Sequence, residues 1–95
     1  MDDDLFDWDP VKARTNLIKH GVSFIEARAV FGDYWALDAP DIDHSDEEDR
    51  WIILGRSNRD RLIIVAYAER GEKFRIISAR RATPSESNGY ERRIK

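Results

Sequence analysis

The chain has 95 residues, a formal net charge of −3 and no cysteine. This length suffices for one domain with a single modest core, so we treat residues 1–95 as one domain. The lack of cysteine excludes disulfides, thiolate catalysis and zinc sites built on sulfur. No apolar run approaches the roughly 18 residues of a membrane span, and the acidic N-terminus lacks the apolar segment of a secretory signal. We therefore expect a cytoplasmic protein that does not associate with membranes.

The net charge hides a strong asymmetry along the chain. Residues 1–49 contain 14 Asp and Glu against 4 Lys and Arg, whereas residues 50–95 contain 5 Asp and Glu against 12 Lys and Arg. Opposite poles of this kind favour an anionic ligand on the basic half. The alternative is that the two halves neutralise each other in the fold, and composition leaves both interpretations open.

The predicted elements begin with a short strand at residues 5–8, followed by a helix. Asp9 is suited to the N-cap, Pro10 to the first helical position and Gly21 to a left-handed C-cap, so this helix spans Pro10 to about His20. Its apolar stripe consists of Val11, Leu17 and Ile18, and Asn16 counts among its polar residues.

A second helix is predicted directly after the first. Ser23 and Glu26 have the spacing of a capping box, and the helix runs from there to about Phe31. Phe24, Ala27 and Phe31 share one face, which we expect to be buried.

Four further strands are predicted after the two helices. They are an edge strand at residues 35–39, an interior strand at Arg50–Arg56, and a hairpin of residues 62–68 and 74–79 with Gly71 in its turn. Residues 41–49 form an acidic connection that we interpret as a solvated loop, because it lacks the glycine and the ligand spacing of an EF-hand. His44 lies in this loop, with no second histidine nearby in the sequence.

The chain closes with a helix that we predict to be short. Thr83, Pro84 and Glu86 repeat the helix-start pattern, but the residues at 87–89 are poor helix formers. Helices grouped before consecutive strands indicate an α+β fold: a small antiparallel sheet with two N-terminal helices and a short C-terminal helix.

Arginines concentrate on the predicted hairpin and its flanks: Arg59, Arg61, Arg70, Arg75, Arg80 and Arg81. A guanidinium presents a rigid fork of donors to phosphate oxygens, and Tyr67 and Tyr90 offer stacking surface for bases. Arg75 and Arg80 lie five residues apart and face opposite ways in a regular strand, so either Arg80 lies beyond the strand or only one of them reaches a phosphate. These residues indicate a nucleic-acid-binding sheet, with a ribonuclease as one possibility.

His20 has two interpretations that the sequence does not separate. Imidazole suits general acid–base catalysis near neutral pH. A histidine at a helix C-terminus also hydrogen-bonds the last carbonyls and interacts favourably with the helix dipole, and we favour this structural role.

Several blocks of the chain resemble the BrnT toxin family. They are Phe6-Asp7-Trp8-Asp9-Pro10, Lys19-His20-Gly21-Val22-Ser23-Phe24, Asp43-His44-Ser45, and Arg75-Ile76-Ile77-Ser78-Ala79-Arg80. The resemblance covers nearly the whole chain. It implies a RelE-like fold, a ribonuclease toxin of a bacterial type II toxin–antitoxin pair, and a hetero-oligomer with a BrnA-type ribbon-helix-helix antitoxin through which DNA is contacted.

The chemistry implied by the resemblance is RNA cleavage without metal or cofactor, in which the 2′-hydroxyl attacks the adjacent phosphorus. The catalytic candidates are Glu69 as base, Arg61, Arg75 and Arg80 as cations, and Lys12 and His20 as proton donors. The RNA-binding candidates are Arg59, Arg70, Arg81, Tyr67 and Tyr90. The alternative function is a non-catalytic module that binds RNA or a partner protein through the same sheet.

Overall fold

The structure is a computed structural model that describes residues 5–44 and 49–94. The elements in chain order are β1 (Phe6–Asp7), α1 (Pro10–His20), α2 (Phe24–Val30), β2 (Leu37–Pro40), a 3₁₀ turn (Ile42–His44), β3 (Arg50–Arg56), β4 (Leu62–Arg70), β5 (Lys73–Arg81) and α3 (Pro84–Ile94). Parts of the predicted acidic connection and of the acidic N-terminus lie outside the described residues. No described helix is long and apolar enough to cross a membrane.

The five strands form one mixed sheet in the order β1-β5-β4-β3-β2. The four strands that follow the two helices pair antiparallel, as predicted, and β2 is an edge strand, also as predicted. β1 differs from the prediction because it pairs with β5 in parallel, with Phe6 opposite Phe74. Short connections fix the direction of the later strands, whereas two helices separate β1 from its partner and leave its direction to packing. The α+β class is confirmed.

α1 begins and ends where the sequence predicts. The Asp9 carboxylate accepts a hydrogen bond from the Val11 N–H at 2.8 Å, and Gly21 adopts a left-handed φ of 70°. The Gly21 N–H donates to the Leu17 carbonyl at 2.9 Å, which closes the helix.

The buried residue of α1 is Asn16, which is 7 % exposed, and not the apolar stripe. Its Nδ2 donates to the carbonyls of Ala79 at 2.8 Å and Val22 at 2.9 Å, and its Oδ1 accepts from the Ala79 N–H at 3.1 Å. Beyond its pairing with β1, the outer edge of β5 presents backbone N–H and C=O groups that have no strand partner. The Asn16 amide hydrogen-bonds to these groups at Ala79, in the place of a neighbouring strand. Asn16, which the sequence shows only as one of the polar residues of the helix, therefore attaches α1 to the sheet.

The core lies between the two N-terminal helices and one face of the sheet. Its buried members are Val22, Phe24, Ala27, Val30, Ile53, Ile63, Val65, Tyr67, Ile76 and Ala79. The buried face predicted for α2 is thereby confirmed, with Phe31 half-buried against the rings of Phe6, Phe74 and Tyr67. We call the opposite side of the sheet the open face.

A β-bulge decides the orientation of the arginines on β5. The register is regular up to Ala66 opposite Ser78, and it then shifts so that Tyr67 lies opposite Ile76 and Ile77 is the extra residue. Arg80 opposite Ile64 and Arg75 opposite Ala68 consequently share the open face, because residues 64 and 68 are an even number apart on β4. The alternative that Arg80 lies beyond the strand is wrong, because Arg80 lies within β5 and on the same face as Arg75. The alternative that only one of the two arginines reaches a phosphate stays a prediction.

α3 is longer than predicted and spans 11 residues. Its capping box is complete, since the Thr83 N–H donates to Glu86 Oε1 at 2.8 Å and the Glu86 N–H donates to Thr83 Oγ1 at 3.2 Å. Tyr90 is buried, and its hydroxyl donates to Asp33 Oδ2 at 2.6 Å. These contacts outweigh the low helix propensity of residues 87–89.

Candidate active-site groove

A groove of about 260 Å³ crosses the open face of the sheet, and we call it the sheet groove. Side chains of three strands form its floor: Ile52, Ile64, Ala66 and Ser78. Its remaining polar lining is His20, Asp41, Asp43, His44 and Arg80. Two imidazoles, two carboxylates and a guanidinium thus surround one concave surface, which is a chemically unusual concentration for a small apolar sheet.

His20 reaches the sheet groove because of how α1 is anchored. Asn16 fixes α1 to the edge of β5 at Ala79, and His20 follows one helical turn later on the same side of the helix. Gly21 then ends the helix and leaves His20 at its exposed C-terminus. His20 therefore has more than the structural role favoured from the sequence, because its side chain also lines the groove.

His44 lines the same groove from the β2–β3 end, across the open face from α1. The Asp41 N–H donates to the Arg50 carbonyl at 2.9 Å, which ties the 3₁₀ turn to the start of β3. His44 Nδ1 lies 3.1 Å from Asp41 Oδ1. When Nδ1 carries the proton it donates to this carboxylate, and Nε2 is then directed away from Asp41 as the acceptor.

Arg80 is held at the groove by a bidentate pair with Glu86. Its two terminal nitrogens donate to the two carboxylate oxygens at 2.9 and 3.0 Å. These bonds lower the pKa of Glu86 to about 2, although partial burial opposes ionisation. The guanidinium is therefore both charged and fixed in orientation beside the groove, with its side chain still 43 % exposed.

A second groove of about 260 Å³ runs between α1 and β5, and we call it the α1–β5 groove. Its lining residues are Val11, Lys12, Thr15, Asn16, Lys19, His20, Ile77 and Ser78. Because His20 and Ser78 line both grooves, the two form one continuous path. Lys12, His20 and Arg80, three of the predicted catalytic candidates, lie along it.

Arg61 lies on the other face of the sheet, in a buried polar cluster on the side covered by the helices. Its Nε donates to Glu26 Oε2 at 2.9 Å, its terminal nitrogen donates to Glu26 Oε1, and the Ser57 hydroxyl donates to the same carboxylate at 2.7 Å. Glu26 is 3 % exposed, and the hydrogen bonds from Arg61 lower its pKa against the opposing effect of burial. The Glu26 carboxylate therefore binds Arg61, whereas the reciprocal half of the predicted Ser23 capping box is not formed.

Glu69 is separated from the sheet groove by the sheet itself. It lies opposite Phe74 on the helix side and lines a cavity of about 540 Å³ with Phe6, Phe31, Phe74 and Tyr67 among the other walls. It is also five residues from Ile64, the partner of Arg80, which is about 16 Å along a strand. Glu69 and Arg80 therefore do not share a site. Arg75 is on the open face and pairs with Asp7 at 3.3 Å.

The remaining RNA-binding candidates are dispersed. Arg59 is exposed in the β3–β4 turn, 3.9 Å from Glu26, while Arg70 and Arg81 are exposed near opposite ends of the hairpin. Tyr67 and Tyr90 are 4 % and 1 % exposed, and their hydroxyls donate to Asp38 and Asp33. Stacking on bases requires an exposed ring face. The structure therefore corrects the expectation that Tyr67 and Tyr90 offer stacking surface for RNA.

Three polar residues of the sheet groove are not among the site residues predicted from the sequence: Asp41, Asp43 and His44. All three belong to the segment that the sequence predicts as a solvated loop, and His44 lies 24 positions from His20, so their proximity is not visible in the sequence. The Asp43-His44-Ser45 block of the family resemblance was the one available signal. Within residues 5–44 and 49–94, no group of three or more His, Asp or Glu side chains is arranged to hold a metal ion.

Comparison with known proteins agrees with this architecture. The model of the family described as "Ribonuclease toxin, BrnT, of type II toxin-antitoxin system" matches residues 8–86. The 1.1 Å crystal structure of the Brucella abortus ribonuclease toxin BrnT superposes with a TM-score of 0.64 at 26 % sequence identity, covering 82 % of this chain and 95 % of that one. No curated protein matches the chain. Since the family match spans most of the sequence, the chain belongs to the BrnT family of ribonuclease toxins of type II toxin–antitoxin systems.

Proposed function

We propose that this family member is a metal-independent endoribonuclease whose active site is the sheet groove. The observation that carries the proposal is the convergence of His20, His44 and Arg80 on one concave surface from three different elements. Because the family consists of ribonuclease toxins of toxin–antitoxin systems, we take RNA as the substrate and an antitoxin as the partner. We further propose that the antitoxin is of the BrnA type and that the toxin acts in the cytoplasm, where its substrate is found.

The groove contains the groups needed for attack by the 2′-hydroxyl of RNA. His44, oriented by Asp41, accepts the 2′-hydroxyl proton, and Asp41 stabilises the imidazolium that forms. The 2′-oxygen bonds to phosphorus, and the bond from phosphorus to the 5′-oxygen breaks. His20 donates a proton to the departing 5′-oxygen, which gives a 2′,3′-cyclic phosphate and a 5′-hydroxyl end. Glu69 is replaced as base because it lies on the far side of the sheet.

Arg80 suits stabilisation of the charge that develops on the phosphorane. Its guanidinium is preorganised by Glu86, so little side-chain ordering is needed at the moment of reaction. Lys12 in the α1–β5 groove lies where the neighbouring phosphate of an RNA strand would pass. We therefore assign Lys12 to RNA binding and not to proton donation.

The experiment that tests the proposal is incubation of purified, antitoxin-free protein with end-labelled RNA in EDTA. We expect cleavage that survives chelation and fragments that end in a 2′,3′-cyclic phosphate. Cleavage that requires a divalent metal, or fragments with 5′-phosphate ends, would contradict the mechanism. Intact RNA together with measurable RNA binding by folded protein would instead favour the non-catalytic module. In cells, expression of the chain alone should arrest growth, and co-expression of its antitoxin should restore it.

A further inference from the structure

The surface of α1 and α2 that faces away from the sheet is unusually apolar. Val11, Leu17 and Ile18 are 63 %, 49 % and 80 % exposed, and Ile25 of α2 is 60 % exposed. We call these residues together with Arg14 the outer helix face. Single exposed apolar residues are common, whereas contiguous apolar patches on soluble proteins mark binding surfaces.

The outer helix face is one continuous surface. Val11, Arg14 and Ile18 are spaced i, i+3 and i+7 along α1 and therefore lie on one side of it. Leu17, next to Ile18, and Ile25 line a shared groove of about 250 Å³ between the helices, with Trp8, Ala13 and Phe24 deeper in its wall. The outer helix face therefore includes a concave apolar groove and does not consist of isolated apolar side chains.

Folding does not require this apolar surface. α1 is attached to β5 by the Asn16 amide, and the inward contacts of the helix pair come from Ala13, Val22 and Phe24. The exposed aliphatic side chains of α1 therefore remain in water in the isolated chain, at a free-energy cost that a bound partner would remove.

The charges of α1 indicate what kind of ligand binds the outer helix face. The Pro10–His20 segment contains neither Asp nor Glu, although residues 1–49 are strongly acidic overall. Its cation on the outer helix face is Arg14, whereas Lys12 and Lys19 line the neighbouring α1–β5 groove. Arg14 lies within the groove wall itself, beside Leu17 and Ile25. The complementary ligand has an apolar stripe bordered by acidic residues, and a groove between two helices suits an amphipathic helix. RNA would use the cations but would gain nothing from the aliphatic side chains.

We infer that the outer helix face is the docking surface for an amphipathic helical segment of the antitoxin with an acidic flank. The identity of this partner rests on the proposed function. Val11 lines both the outer helix face and the α1–β5 groove, so a docked helix borders the path assigned to RNA. Docking here obstructs entry of RNA to His20 and Arg80 without occupying the sheet groove.

The test is the double variant Ile18→Asp/Ile25→Asp, with Tyr34→Asp as the matched control at an equally exposed site outside the patch. Affinity is measured by calorimetric titration with the purified antitoxin encoded beside the toxin gene. We expect the double variant to bind at least about 30-fold more weakly, as for loss of a central hot spot, with unchanged RNA cleavage. Tyr34→Asp should bind the antitoxin normally. Arg14→Glu should slow association and weaken its dependence on salt.

Three outcomes separate this inference from the proposed function. Normal antitoxin affinity in a folded Ile18→Asp/Ile25→Asp protein overturns the docking surface, whatever the protein does to RNA. Loss of affinity for an RNA oligonucleotide instead of the antitoxin also overturns it and assigns the face to RNA. If the wild-type protein does not cleave RNA but binds the antitoxin through this face, the proposed catalytic mechanism fails and the docking surface stands.

Discussion

At the scale of single residues, the same kind of side chain serves different purposes according to its partner. Arg80 pairs with Glu86 at the rim of a groove, whereas Arg61 donates to the buried Glu26. A buried ion pair that loses one partner leaves an uncompensated charge or donor in the protein, and this is strongly destabilising. Residue type therefore does not separate the two arginines, whereas the burial of the carboxylate partner assigns Arg61 a structural role and leaves Arg80 as the candidate for catalysis.

Arg61→Ala should reduce stability and leave the chemistry of the groove intact. We expect the free energy of unfolding to fall by about 3 kcal/mol, the lower end for a broken buried pair, because Arg61 is partly exposed. Urea unfolding measures this, and cleavage is compared per folded molecule. Arg59→Ala is the control, with a change within about 0.5 kcal/mol expected at this exposed position. A large loss of cleavage at full stability would return Arg61 to the catalytic site.

His44→Asn should abolish most catalysis without unfolding the protein. General acid–base groups typically contribute 100-fold or more, so we expect cleavage to fall at least about 100-fold. The side chain is exposed, and melting temperature should therefore be preserved.

The control for His44→Asn is Asn58→Ala in the exposed β3–β4 turn, which should cleave RNA normally. Near-normal cleavage by a folded His44→Asn protein would remove His44 from the mechanism and leave His20 and Arg80 as its candidates.

At the scale of elements, α3 illustrates how tertiary contacts extend a weak helix. Its first turn is held by Thr83 and by the Glu86–Arg80 pair, and Tyr90 anchors its last turns through Asp33. Asp33 also accepts from the Arg56 N–H at 2.8 Å, so one carboxylate joins α3 to the end of β3. Both ends of α3 are thereby fixed to the same end of the sheet, which low intrinsic propensity at residues 87–89 does not prevent.

Glu86→Gln should weaken α3 in a pH-dependent manner. The folded-state pKa of Glu86, about 2, lies below its ordinary value of 4.5, so its stabilising contribution is complete above that value and is lost as pH falls towards 2. We expect the variant to be less stable than wild type by about 1–2 kcal/mol at pH 7, as for loss of a cap, and the difference to disappear near pH 2. Glu72→Gln in the exposed hairpin turn should show no such difference. Equal stability of Glu86→Gln and wild type at pH 7 would contradict this account.

At the scale of the whole molecule, the charge asymmetry has two outcomes. Part of it is neutralised internally, since Asp7–Arg75 and Glu26–Arg61 join the acidic half to the basic half. The second outcome is that cations of both halves meet: Lys12 and Lys19 of the acidic half lie with Arg80 of the basic half along the path formed by the two connected grooves, where Asp41 and Asp43 also line the sheet groove. A protein with a net charge of −3 can therefore still attract phosphate locally.

The affinity for RNA should fall as salt rises, by an amount set by the number of cations along this path. With three cations engaged, the plot of log affinity against log salt should have a slope of about −2 for single-stranded RNA, measured on a 2′-O-methyl strand that cannot be cleaved. Lys12→Ala should reduce the slope by about 0.7. Lys73→Ala, at the exposed start of β5, should leave it unchanged. A slope insensitive to Lys12 would place the RNA outside the α1–β5 groove.

The sequence alone determined the features that depend on neighbouring residues. The Asp9 cap and the Gly21 stop of α1, and the left-handed Gly71 in the hairpin turn, are local conformational requirements. The family was likewise recognisable from linear blocks such as the one around His20. These signals need no knowledge of how distant segments meet.

Only the tertiary structure decided which side chains face one another. Asn16 was found buried because it meets Ala79, 63 positions away, and the apolar stripe of α1 consequently faces solvent. A single bulge on β5 placed Arg75 and Arg80 on the same face, and the 3₁₀ turn brought His44 to the groove on that face. Strand register and helix orientation arise from packing between residues distant in sequence, and a shift of one residue reverses every side chain of a strand. Local patterns therefore specified the elements, while packing between them specified the candidate site.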